Sequence, residues 1–127
     1  MLKNKFKSIF SGLEIAYGQY QPGERGDNGK QQGKAFIVRQ DVTDELWTNH
    51  LEGKGPALGI IPITEDNSCR WGCIDIDEYN FNHTSFIKSI RDHKLPLIVC
   101  RSKSGGAHVF LFTKENIPAS LMQSKLK

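Results

Sequence analysis

The sequence has no long hydrophobic run, and its longest continuous apolar stretch is the six residues 95–100. A helix that crosses a bilayer needs about 20 apolar residues, so a transmembrane protein is excluded. Lys3, Lys5 and Lys7 alternate with apolar residues instead of preceding an apolar segment, which is not the pattern of a signal peptide. We therefore expect a cytoplasmic protein with no membrane partner.

The chain also lacks a strong charge of one sign and an even set of cysteines. Its 17 basic and 14 acidic side chains give a net charge of +3, which is compatible with a polyanionic partner but does not require one. Cys69, Cys73 and Cys100 are an odd number in a chain without an export signal, so we expect reduced thiols. A length of 127 residues with 38% hydrophobic side chains indicates one compact domain, with room for an appended lobe.

The first 34 residues are predicted to form a helix and a glycine-rich loop. Apolar residues recur at helical spacing over residues 2–13, which predicts an amphipathic helix. Residues 18–34 contain five glycines and a proline and show no hydrophobic period, so we predict a loop or linker there. We therefore separate residues 1–34 from a second region, 35–127.

That second region is predicted to begin with a small αβ lobe. Residues 35–38 form a short apolar run typical of a strand, and residues 57–63 resemble a buried strand. Between them, Asp41 or Thr43 can cap a helix that continues to about Leu51.

The second half of the chain alternates more clearly between strands and helices. The predicted elements are a strand at 71–77, a helix at 84–93, strands at 97–102 and 107–113, and a helix from 117 onward. This βαββα order is the beginning of a ferredoxin-like, RRM-like arrangement that lacks its final strand. The predicted fold class is therefore α+β, with an N-terminal αβ lobe followed by an incomplete ferredoxin-like core.

Two aspartates stand out in the first of these strands. The two-residue period places Asp75 and Asp77 on one face and two isoleucines on the other. Two adjacent carboxylates repel each other unless a cation lies between them, and Mg²⁺ or Mn²⁺ prefers such oxygen ligands. The pattern is also found where strand ends carry exposed acids for solubility, so both interpretations stay open.

A histidine in the third strand can complete this site. In the βαββ topology the first and third strands pair antiparallel, so His108 can lie near Asp75 and Asp77 if it faces the same side. Alternation leaves Phe110 and Phe112 on that open face as well. The alternative is a hydrogen-bonded structural histidine.

A turn before the histidine contains Ser104, Gly105 and Gly106, whose backbone amides could approach a phosphate. Acids, a histidine and a glycine turn on one surface would suit a metal-bound triphosphate.

These residues resemble the first two catalytic motifs of the archaeo-eukaryotic primases, or primase-polymerases. The likeness lies in the segment CIDID at 73–77 and in residues 95–112, and it extends upstream through HLEG at 50–53, LGIIP at 58–62 and NSCRW at 67–71. It covers roughly residues 35–122 and is closest to the primase domain of the phage-borne and conflict-system branch, TOTE.

The resemblance implies template-directed nucleotidyl transfer from nucleoside triphosphates on single-stranded DNA. It assigns Asp75 and Asp77 to divalent metals, Mg²⁺ or Mn²⁺, and His108 to the phosphates of the incoming nucleotide. Ser104 matches the small polar residue before that histidine. The residues expected to contact the nucleotide are Arg101, Lys103, Ser104, Gly105, Gly106 and His108.

One motif of the resembling family has no counterpart in the sequence. Family members carry a third acidic motif on a strand after the second helix, whereas these 127 residues end within the predicted position of that helix. We therefore expect weak or absent activity from this chain alone, with a helicase or a further C-terminal part of the protein as candidate partners.

Two other classes of function remain open from the sequence. A noncatalytic module that binds single-stranded nucleic acid would use the same topology and stack bases on Phe110 and Phe112. A zinc site could combine Cys69 and Cys73 with His83 or His93, although two cysteines without a second well-spaced pair are a poor zinc signature.

Overall fold

The computed structural model describes residues 2–25, 31–78, 80–102 and 105–126, and the chain divides into two compact units, Met1–Asn67 and Ser68–Lys127. Among the described residues, no helix has both the length and the apolar character needed to cross a membrane. The two units together make an α+β protein, as predicted.

The first unit contains two short helices and a three-stranded sheet. Its elements are α1 (Leu2–Ile9), β1 (Tyr17–Arg25), β2 (Gln31–Val38), α2 (Asp44–Leu51) and β3 (Ala57–Gly59). The strand order is β2-β1-β3, and both pairings are antiparallel.

The prediction of a loop over residues 18–34 is wrong, because β1 and the first part of β2 occupy most of that segment. Tyr17 pairs with Val38 and Tyr20 pairs with Ala35, so the backbone ladder defines the strands. Residues 33–37 are all exposed, so this part of β2 has no buried face. No alternation of apolar and polar side chains therefore marks it in the sequence.

Two other predicted elements in this unit are shorter than expected. The first helix ends at Ile9 instead of residue 13, because the following chain is extended against residue 61. The backbone amide of Leu13 donates to the carbonyl of Ile61 over 2.8 Å, and an added Cβ on Gly12 would lie 2.2 Å from that carbonyl oxygen. The strand predicted over 57–63 is confined to β3, which ends at Gly59.

Helix α2 begins as predicted, and it is joined to α1 by ion pairs. The Thr43 side chain caps α2 by accepting a hydrogen bond from the Leu46 amide. Asp44 accepts from the ammonium groups of Lys3 at 2.5 Å and Lys7 at 2.8 Å. These two hydrogen bonds lower the pKa of Asp44 to about 2, so its carboxylate stays charged to a lower pH than that of an ordinary aspartate.

The second unit has the predicted βαββα order. Its elements are β4 (Ser68–Ile76), α3 (His83–Asp92), β5 (Ile98–Arg101), β6 (Ala107–Pro118) and α4 (Ala119–Lys125). The strand order is β4-β6-β5, so the first and third strands are antiparallel neighbours, as the topology predicts. Strand β6 is longer than expected because Ile117 and Pro118 pair with the beginning of β4.

One face of the second sheet packs beneath α4 and carries part of the core of this unit. Ala107 and Val109 of β6 are 0% and 1% exposed, and Met122 of α4 is buried with them. Gly72 of β4 allows α4 to approach closely, since an added Cβ would lie 2.8 Å from side-chain atoms of Met122 and Leu126. Helix α4 therefore packs on this face, and the residues between these positions along β4 and β6 lie on the other face.

The turn between β5 and β6 closes against the end of β4. The amide of Ser102 donates to the Gly106 carbonyl, and the amide of Gly105 donates to the Ser102 carbonyl, each over 3.1 Å. Gly105 has a φ of +92°, and an added Cβ on Gly106 would lie 2.0 Å from the backbone oxygen of Ile76. The backbone contact at Gly106 leaves no room for a side chain.

Replacing Gly106 should therefore cost more stability than replacing its neighbour. We expect Gly106→Ala to lower the free energy of unfolding by about 3 kcal/mol, because the backbone of β4 or of the turn must shift. Gly105→Ala should cost about 1–2 kcal/mol, because open space surrounds it and only its positive φ opposes a side chain. Urea denaturation of both variants measures the difference, and an equal or larger loss for Gly105→Ala would contradict the close contact.

Candidate functional site

The face of the second sheet opposite the helices carries the predicted site. Strand register places Asp75 of β4, His108 of β6 and Cys100 of β5 in one cross-strand row. The adjacent row contains Cys73, Phe110 and Ile98. We refer to these two rows as the open face.

Asp75 and His108 form the central pair of the open face. His108 Nε2 lies 3.5 Å from Asp75 Oδ1, and the two side chains are 45% and 71% exposed. The ring of Phe110 packs edge to face against the imidazole, with centroids 6.2 Å apart. The histidine is thus held beside the carboxylate by a neighbouring ring while both polar groups remain accessible to a ligand.

Asp77 lies one residue beyond the end of β4 and is exposed. Asp77 therefore follows the strand directly but takes no part in its pairing with β6. Over the parts of the chain that the structure describes, no group of three or more histidine, cysteine, aspartate or glutamate side chains is placed to hold a metal ion. Asp75 on the open face and Asp77 just after the end of its strand are the two carboxylates that the sequence predicts as ligands of a hard cation.

Two carboxylates are nevertheless a suitable donor set for Mg²⁺ or Mn²⁺. Magnesium is commonly bound by one or two carboxylates, with waters and substrate phosphates as the remaining ligands. Asp75 is 71% exposed, so its oxygens are accessible to such a hydrated ion.

The predicted phosphate contacts are only partly brought together. Arg101 pairs with Ala107, so the register places it on the face opposite His108, at the end of β5. The amide of Gly105 is used within the turn, and Gly106 is buried. Lys103 and Ser104 lie outside the described residues, so their roles stay predictions.

The cysteines and histidines of the second unit do not form a zinc site among the described residues. Cys69 is buried and Cys73 is exposed, and desolvation is the main cause that raises the pKa of both thiols. The negative charge of Asp75 raises the pKa of Cys73 further. The two histidines of the predicted zinc site have backbone partners: His83 contacts the Gly106 carbonyl, and His93 contacts the Ser89 carbonyl.

Two features of this region are not among those predicted from the sequence. The first is the contact of His83 Nε2 with the Gly106 carbonyl at 2.8 Å, which joins the start of α3 to the β5–β6 turn. The second is Trp71, whose buried ring lies 6.2 Å from that of Phe110. Alternation along β4 could have placed Trp71 with Asp75, whereas no local pattern relates His83 to Gly106.

A comparison with protein-family models gives a match over most of the chain. The family model for the TOTE conflict system archaeo-eukaryotic primase domain matches residues 6–126, which includes both units. No curated protein matches the chain. The match covers nearly the whole sequence, including the acidic strand end and the histidine that faces it. The chain therefore belongs to the archaeo-eukaryotic primase domain family of TOTE conflict systems.

Proposed function

We propose that the open face binds a nucleoside triphosphate with Mg²⁺ or Mn²⁺ and serves template-directed nucleotidyl transfer. The family is one of primase-like nucleotidyltransferases. The observation that carries the proposal is the exposed pair of Asp75 and His108, 3.5 Å apart on neighbouring strands. One group suits a cation and the other suits a phosphate oxygen, which are the two parts of a metal-bound nucleotide.

Asp75 and Asp77 would hold the metal, together with waters and phosphate oxygens. A bound divalent metal neutralises phosphate charge and polarises the phosphoryl oxygens. His108 would donate a hydrogen bond to a phosphate oxygen, and this bond is stronger when the imidazole is protonated. Phe110 supports the imidazole from one side, so the donor is oriented before the nucleotide binds.

The proposed partners are nucleoside triphosphates and a single-stranded DNA template. A helicase and a further part of the protein are the candidate protein partners. The template has to lie near the incoming nucleotide, where a bound metal would offset the repulsion between its phosphates and the two aspartates.

A noncatalytic role in binding single-stranded nucleic acid is the second candidate. The observation that favours it is the aromatic cluster on β4 and β6, in which Phe110 and Phe112 stack with centroids 5.8 Å apart and Trp71 contacts Phe110. Without a metal, however, Asp75 and Asp77 would repel a polyanion. A chelator added to a binding assay separates the two candidates, because only metal-dependent binding is lost.

Mn²⁺ should bind weakly at the two aspartates. We expect a dissociation constant in roughly the millimolar range, because two carboxylates and waters hold the ion. Paramagnetic broadening of the amide signals around residues 74–78 and 107–109 measures the binding. The control is Asp92→Asn, an exposed acid at the end of α3, which should leave the broadening unchanged. Equal broadening in the wild type and in the double variant Asp75→Asn/Asp77→Asn would exclude the site.

His108→Ala should weaken the binding of MgATP without unfolding the protein. Loss of a hydrogen bond to a charged group corresponds to roughly a ten- to hundredfold loss of affinity. The thermal midpoint should change little because the side chain is 45% exposed. Fluorescence titration and thermal unfolding are compared with His93→Ala, another exposed histidine of this unit. A large drop in the midpoint together with unchanged affinity would instead show a structural histidine.

Residues 1–127 alone should synthesise little or no primer. Catalysis with two metals needs enough anionic ligands for both ions, and the described residues provide no group of three or more. Each ~1.4 kcal/mol of lost transition-state stabilisation lowers the rate tenfold, so activity should be reduced by orders of magnitude. The measurement is incorporation of labelled nucleotides on a single-stranded template with Mn²⁺, for the wild type and for Asp75→Asn.

The assay should span a range of protein concentrations, because a second copy could supply an acidic ligand. Robust synthesis that depends on Asp75 at low protein concentration would show that two aspartates are sufficient.

A further inference from the structure

We infer that His83 is the positioning residue of the β5–β6 turn, and that it sets the affinity of the open face for a nucleoside triphosphate. The expected effect of His83 on nucleotide binding rests on the proposed function. The role depends on a single, partly buried hydrogen bond between His83 Nε2 and the carbonyl of Gly106, with a length of 2.8 Å. A carbonyl oxygen only accepts hydrogen bonds, so Nε2 is the donor.

Gly106 is a junction between three segments of the second unit. Its carbonyl accepts from His83 of α3 and from the amide of Ser102, at the end of β5. Its α-carbon lies so close to the carbonyl of Ile76 that no Cβ fits between them. The position of Gly106 therefore determines where the turn lies relative to the end of β4.

The proposed functional residues are attached directly to this junction. His108 is two residues after Gly106, and Asp77 is the residue after Ile76. A shift of the Gly106 backbone therefore displaces the start of β6 or the end of β4. Either shift changes the spacing between the proposed phosphate donor and the proposed metal ligand, and small changes of spacing at such a site reduce binding and reactivity.

The start of α3 holds the His83 side chain in a defined orientation. Asn82 caps the helix by accepting a hydrogen bond from the Ser85 amide at 3.0 Å. The imidazole packs edge to face on Phe81, with centroids 5.0 Å apart, and Phe81 packs in turn against Phe86 at 5.3 Å. The donor is thus fixed by a helix cap and by aromatic packing, which is the arrangement that a positioning residue requires.

The test uses the full 127-residue chain with MgATP as the probe. We expect His83→Ala to weaken MgATP binding roughly two- to tenfold, the range that corresponds to one hydrogen bond. The backbone amide signals of Gly105 and Gly106 should shift in the same variant. His83→Gln should restore both the affinity and the amide signals to near wild-type values, because its side-chain amide can donate to the same carbonyl.

His93→Ala is the matched control. His93 also contacts a backbone carbonyl, that of Ser89 at 2.8 Å, but it does so within the turn that ends α3. This variant should leave MgATP affinity and the two glycine amide signals unchanged. A general effect of losing a histidine at either end of α3 would appear in both variants. The positioning role instead predicts an effect in His83→Ala alone.

Three outcomes overturn the inference. The first is wild-type affinity with unchanged glycine amides in His83→Ala. The second is an equal loss in His83→Ala and His83→Gln, which would show that the ring itself, and not the donated hydrogen bond, is required. The third is a wild-type protein that does not bind MgATP, which would show that the proposed function is wrong. In that case, unchanged glycine amide signals in His83→Ala would show separately that His83 does not position the turn.

Discussion

The antiparallel pairing of β4 with β6 is the constraint on which the site depends. Asp75 and His108 are 33 positions apart in the chain, and they meet because the register places them directly opposite each other. The same register places Ile76 opposite Ala107, which brings the end of β4 to the β5–β6 turn. A shift by one residue would move His108 to the face on which α4 packs. The location of the site is therefore a property of the strand ladder.

Packing on the covered face keeps that register in place. Ala107 and Val109 are almost completely buried, so exchanging the faces of β6 would expose them and bury His108. Gly72 and Gly106 allow two close approaches, one by α4 and one by the backbone of Ile76. The open face is accordingly supported by packing on the opposite face and at the β5–β6 turn.

The open face combines exposed charge with aromatic surface. Asp75 and Asp77 place negative charge where a nucleotide phosphate is proposed to bind, which would be unfavourable without a cation. His108 and the aromatic rings beside it provide a donor and an apolar surface within the same two strands. This arrangement suits a ligand that brings both a metal and phosphates, and it is the physical reason for preferring nucleotidyl transfer to simple nucleic-acid binding.

The sequence by itself determined the second unit and the central part of the site. The two-residue period of β4 separates Asp75 from the isoleucines, and the βαββ topology pairs the first strand with the third, so the approach of His108 to Asp75 could be predicted. The cap at Thr43 was equally local, because a side chain bonds to an amide three residues away. The family resemblance covered roughly residues 35–122, and the family match covers residues 6–126.

Only the tertiary structure decided the hairpin of β1 and β2, the placement of Arg101 and the role of His83. Strand β2 is exposed along residues 33–37, so its pairing with β1 depends on backbone hydrogen bonds that leave no hydrophobic period. Arg101 lies on the opposite face because its register partner is Ala107. His83 reaches Gly106 across 23 positions, and such a bond depends on where a helix begins relative to a turn, which no local pattern of side chains encodes.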